Sequence, residues 1–149
     1  MTFDEFKIKR VWKSYQETPK LWKQCVALAK LFSNEVNGIK LKNFSWSALK
    51  WRETWSPFVW LPYTRSFYTG KWFPPRWSIV FFNKTKSNPY WHVAITWQCD
   101  KDTLRVIEQN AVHWSGLWIN WDEISIRWYP YKWWKTGDVL WRYTCTMQF

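Results

Sequence analysis

The order of periodicities along the chain constrains its fold more than any other feature: a helical stretch comes first, and five short strand-like runs follow it. From Leu21 to about Val36 the apolar positions Val26, Leu28, Leu31, Phe32 and Val36 recur at helical spacing, and Asn37-Gly38 supplies a stop. Beyond residue 75 the texture is β-branched and aromatic, in SIVFF (78–82), HVAIT (92–96), LRVIEQ (104–109), ISIRWY (124–129) and VLWRY (139–143). The turn-formers NKTKSNP, CDKD and KTGD separate several of these runs. This is an α+β plan, with N-terminal helices packed on a mostly antiparallel β-sheet. Residues 1–19 carry weak periodicity up to Pro19 and read as a loose N-terminal arm or a short first helix. Residues 39–75 hold a short helix around Ser47–Arg52, then a connection punctuated by Pro57, Pro62, Pro74 and Pro75, where few strand ladders are expected.

A length of 149 residues fits one compact domain spanning 1–149. No run is apolar enough to cross a membrane, and MTFDEFKIKR mixes acids with bases where a secretory leader would show a basic start and an apolar core. The sequence therefore reads as soluble and without a signal peptide. Twenty-two Lys+Arg against eleven Asp+Glu give a net charge of +11, which draws the molecule toward polyanions: nucleic acid, anionic lipid or an acidic cell wall. Cys25, Cys99 and Cys145 are too few and too scattered for a disulfide scaffold or a CxxC metal site. Cys99 and Cys145 read either as two small buried thiols or as one bridge. There is no glycine-rich phosphate loop, no HExxH and no calcium-type Asp ladder, so no cofactor and no metal are expected.

A thiol becomes a nucleophile when its pKa is lowered, and a helix N-terminus does this with unpaired N–H groups and partial positive charge. Cys25 has that placement. It needs a base, and His92, at the head of the HVAIT run, can face the helix start. The imidazole needs an orienting acceptor, which LRVIEQN supplies in Glu108 and Asn110, two residues apart and so on one face. Each residue also has a structural reading: a small core cysteine, and a satisfied histidine beside a strand. His113, in the turn-like AVHWSG, reads as a surface residue.

QCVALAK around Cys25, PPRWSIVFF, YWHVAI and VIEQNA, in that order from about Leu21 to Tyr143, resemble the CHAP domain (cysteine, histidine-dependent amidohydrolase/peptidase). The resemblance implies a papain-like fold and a peptidoglycan hydrolase of bacterial or phage origin that works without a cofactor. The bond cut would be an N-acetylmuramoyl-L-alanine amide or a peptide bond of the wall. It further implies that Cys25 is the nucleophile, His92 the base, and Glu108 and Asn110 its orienting groups. The oxyanion would be held by the Cys25 N–H with Gln24. The implied partner is an anionic cell wall bound by a monomer, rather than nucleic acid, reached by release at lysis or by an unseen export route. The rival reading is a non-catalytic binder of glycan or single-stranded nucleic acid, using aromatic and basic surface such as YPYKWWKTG.

The chain departs from the family where the family has glycine. Average usage near 7% predicts about ten glycines, yet 4 Gly stand beside 17 Trp. Trp91 replaces the glycine of GHVAI, and Trp77 ends PPRW where a glycine turn is expected. Reading Trp as Gly through LWKQC, FSWSALKW, HWSGLWINWDE and VLWRY yields ordinary turn and linker sequences. Such a pattern is expected from a genome that reads UGA as glycine, translated under a code that reads it as tryptophan.

Overall fold

The computed structural model describes residues 1–16, 24–42, 48–54, 56–67, 74–82, 92–100, 103–109, 123–130 and 143–148. Three α-helices, α1 (Phe3–Arg10), α2 (Cys25–Glu35) and α3 (Ala48–Thr54), precede the strands, with a 3-10 turn at Ser56–Phe58. The strands are β1 (Thr64–Phe67), β2 (Ile79–Phe82), β3 (His92–Cys99), β4 (Thr103–Glu108), β5 (Ser125–Pro130) and β6 (Tyr143–Gln148). They form one sheet in the order β1-β6-β2-β3-β4-β5, with every pairing antiparallel. The α+β reading is thus the observed architecture.

The first residues are not a loose arm. Thr2 caps α1 through a reciprocal pair, Glu5 N donating to Thr2 Oγ1 (3.2 Å) and Thr2 N donating to Glu5 Oε2 (2.7 Å). Phe3 and Phe6, both buried, meet Phe32 of α2 edge-on at ring-centroid distances of 6.0 and 5.5 Å. Two aromatic anchors three residues apart give α1 a helical face that weak average periodicity concealed. Arg10 also reaches across to ion-pair with Glu35 at the far end of α2.

Helix α2 buries Val26, Leu28, Leu31 and Phe32 against Ile79, Phe81, Val93, Ile95 and Ile107, the alternate residues of β2, β3 and β4 that face the helices. It ends at Glu35 with Val36 as its C-cap, and Gly38 beyond, at φ 70°, lets the chain reverse while Ile39 N bonds Ser33 O at 2.9 Å. Helix α3 matches its expected position and carries Trp51, fully buried and edge-on to Phe58 at 5.8 Å. Trp51 is therefore a core tryptophan, and the reading of FSWSALKW as a glycine-type linker fails at that residue.

Strand β1 lies inside the proline-punctuated connection where few ladders were expected. Among the described residues it pairs with β6 alone, at the edge of the sheet, where nearby prolines do not obstruct a ladder. The final strand runs from Tyr143 to Gln148, later than expected, and residues 139–142 of the expected run lie outside the described residues. Cys145 pairs with Phe81 in β2, whereas Cys99 ends β3 on the other side of that strand. Two strand spacings, roughly 10 Å, already exceed the reach of a disulfide, so the bridge alternative is discarded.

Candidate active site

Cys25 is the first residue of α2 and is free, with 7% of its surface exposed. Its position is set by Gln24, the N-cap, which is extended at φ −90° and ψ 156° and whose carbonyl accepts from Ala27 N (3.1 Å) and Leu28 N (3.4 Å). The first-turn N–H groups and the helix dipole favour negative charge here, and no acidic residue in that turn opposes it. The Gln24 side chain forms no cap hydrogen bond.

His92 begins β3, opposite Phe82 of β2, and is 1% exposed. Its Nε2 lies 3.0 Å from Oε2 of Glu108, the last residue of β4 and itself fully buried. With Nε2 committed to the carboxylate, Nδ1 is the nitrogen available to the sulfur. Burial alone would push the His92 pKa down. Hydrogen bonding to and the charge of Cys25, followed by the same two effects from Glu108, outweigh burial and raise it to about 9. The imidazole is thus held toward its protonated form between a sulfur and a carboxylate.

Two further residues complete the arrangement, and neither was singled out in the sequence. Arg127 of β5 places Nε 3.3 Å from Glu108 Oε1, so the carboxylate meets a cation on each oxygen. Its signal, a lone arginine in the ISIRWY run, becomes legible only once the register pairs Val106 with Arg127 and Glu108 with Ser125. Gln109, also fully buried, accepts from Tyr15 N through Oε1 (2.9 Å) and donates from Nε2 to Tyr15 O (2.8 Å) and Gln24 O (3.3 Å). Consecutive residues of a strand end address opposite faces, so Glu108 holds the imidazole while Gln109 holds the backbone before the cysteine.

The structure brings His92 and Glu108 into contact and places Cys25 where it acts on the imidazole, while Gln24 precedes the cysteine as the N-cap of α2. Asn110, Trp91 and His113 lie outside the described residues. Among the described residues no group of three or more His, Cys, Asp or Glu side chains could hold a metal ion. No helix among them is long and apolar enough to cross a membrane. A nucleophile at a helix start, an imidazole and a buried carboxylate in series can open an amide through a covalent intermediate.

Solved structures share the fold, two of them of one protein. "The crystal structure of Ly7917" superposes with a TM-score of 0.50 at 19% identity, covering 84% of this chain and 53% of that one. Its counterpart "with the hydrolyzing product of MDP" gives 0.52 at 19% identity, covering 83% and 53%. The chain spans about half the length of that protein. Among curated proteins none is a significant sequence match. The family profile of the CHAP domain matches residues 13–110, a stretch that holds Cys25, His92, Glu108 and Gln109, with the helix and strands that carry them. The chain belongs to the CHAP domain family, and its fold is papain-like.

Proposed function

We propose that the protein is a peptidoglycan hydrolase that cleaves an amide bond of the wall, an N-acetylmuramoyl-L-alanine link or a peptide bond, through a thioacyl intermediate on Cys25. The observation that carries this reading is the series Cys25, His92, Glu108, with a 3.0 Å contact at its buried end and a histidine raised to about 9 by both neighbours. Family membership supports hydrolysis, and a similar protein solved with "the hydrolyzing product of MDP", MDP being a fragment of peptidoglycan, supports the substrate class.

In the first half of the reaction the Cys25 thiolate attacks the amide carbonyl, forming a C–S bond, and the negative oxygen rests against N–H groups at the start of α2, with Gln24 beside it. Collapse breaks the C–N bond, and His92, protonated, gives its proton to the leaving amine. In the second half neutral His92 takes a proton from water, whose oxygen displaces the sulfur and releases a carboxylic acid. Glu108 holds the ring and stabilises its charged form throughout, with Asn110 as a further orienting group. The net charge of +11 favours residence on an anionic wall.

Replacing Cys25 with Ala tests this directly. Turbidity clearing of purified walls should cease while co-sedimentation with walls persists, and the end group newly exposed by the wild type should be an amine. Retained clearing by the variant would remove the hydrolase and leave the non-catalytic binder.

A further inference from the structure

We propose that Gln109 is a positioning residue for the nucleophile, an inference that rests on the catalytic reading above and extends it. All three of its hydrogen bonds go to main-chain atoms, two to Tyr15 and one to the Gln24 carbonyl. With Tyr15 it does what a neighbouring strand would do, offering an acceptor to the N–H and a donor to the C=O. The segment so held is already fixed upstream, because Trp12 N bonds Ile124 O (2.7 Å) and Ile124 N bonds Lys13 O (2.8 Å). The Gln24 carbonyl is the first acceptor of α2, so a donor pulling on it sets where the helix begins and hence where the sulfur stands. The neighbouring residue, Glu108, sets the imidazole. One dipeptide at the end of β4 thereby fixes both halves of the proton-transfer pair relative to each other, and a misplacement on the order of 1 Å between such groups costs about 100-fold in rate.

The decisive variant is Gln109→Glu, which keeps shape but turns the Nε2 donor into an acceptor facing two carbonyls. The expected result is a kcat for wall hydrolysis lower by roughly 10- to 100-fold with KM within twofold. The pH profile of Cys25 alkylation by iodoacetamide should also be displaced, a readout independent of wall chemistry. A displaced alkylation profile in a protein that does not clear walls would sink the hydrolase and leave the positioning role standing. An unchanged profile and kcat would overturn the role, as would a loss no larger than that of Ser33→Ala, a remote buried variant, at equal loss of Tm. Should Gln109→Glu not fold, Gln109→Met takes its place. Failure of both to fold would assign Gln109 to the scaffold alone and end the proposal.

A separate observation concerns tryptophan. Among the described residues the non-glycine positions with positive φ are Trp12 (68°), Trp60 (64°) and Trp77 (65°), alongside Gly38 at 70°. With 17 Trp in 149 residues, three tryptophans there by chance is an event on the order of one in several hundred, and the bulk of the indole makes it rarer. Trp12 is the third residue of a type II turn, with Val11 before it at φ −61° and ψ 139° and Lys13 N bonded to Arg10 O at 3.1 Å, a position that calls for glycine. We infer that residues 12, 60 and 77 are glycine in the natural protein, their codons having been read as tryptophan. Trp51, buried inside α3, marks the contrasting case of a true tryptophan site.

Peptides from the natively produced protein should carry glycine masses at these three positions. In the tryptophan-containing chain, Trp12→Gly with Trp60→Gly should raise Tm by roughly 3 °C or more, since those indoles are 64% and 95% exposed and contribute little packing. Trp77 is left out of the melting test because it stacks on Phe3 at 4.7 Å. Tryptophan masses in the native peptides, or a lowered Tm in the double variant, would overturn the assignment.

Discussion

Replacing Glu108 with Gln removes one charge from the buried series while preserving its shape. The carboxylate meets His92 Nε2 at 3.0 Å and Arg127 Nε at 3.3 Å and has no solvent exposure. A hydrogen bond between charged groups contributes ~2–3 kcal/mol, so loss of the one holding the imidazolium should slow hydrolysis by roughly 30- to 150-fold. A second effect separates this cause from a general loosening. Glu108 is one of the two groups that raise the His92 pKa to about 9, so its neutral replacement must lower that pKa. The imidazolium then disappears at lower pH, and the alkaline limb of the rate profile moves down. Initial rates of wall clearing between pH 6 and 10, taken well below the melting temperature, read both effects. Removing the carboxylate also leaves Arg127 facing an amide, so the urea midpoint should fall. A rate within threefold of wild type and an alkaline limb still near 9 would refute the coupling of Glu108 to His92.

Other outcomes follow from the same geometry. The folded His92 value, about 9, exceeds the ordinary 6.5, so its contribution to stability is complete below pH 6.5 and disappears as pH climbs through 9. Unfolding free energies from urea titrations should therefore decline across that window by an amount on the order of 3 kcal/mol, and His92→Gln should flatten the slope. Iodoacetamide should modify Cys25 readily near neutral pH, and His92→Gln should slow it; equal rates would exclude an ion pair between the two. Trp51→Ala should cost ~3–5 kcal/mol in chemical unfolding, whereas Trp60→Ala, on an exposed turn, should cost nothing; similar losses at both would contradict the division of tryptophans drawn above.

Helix α2 and strands β2 to β5 were readable because each carries a helical period or a run of apolar and β-branched residues, with turn-formers between several of them. The candidate series was nameable from sequence because its members sit at the ends of those elements: Cys25 at a helix start, His92 at a strand start, Glu108 at a strand end. What escaped depends on register or on single contacts. Arg127 matters only through the pairing of β5 with β4, which no local pattern encodes. Gln109 acts on main-chain atoms 94 and 85 residues away, so nothing in its own neighbourhood announces it. Strand β1, TRSF, is polar at three of its four positions and follows Pro62, so it lacks the apolar run that marks the equally short IVFF of β2. Helix α1 is held by two phenylalanines and a capping box rather than by a continuous apolar stripe.

Strand β6 occupies the gap between β1 and β2, although sixty or more residues separate it from either in the chain. During synthesis the edge of β2 must therefore wait, unpaired, until residues 143–148 leave the ribosome, and β1 has nothing to dock on before then. The sheet is therefore closed late: products cut short before residue 143 lack the strand that joins β1 to β2, and their two halves have no ladder between them.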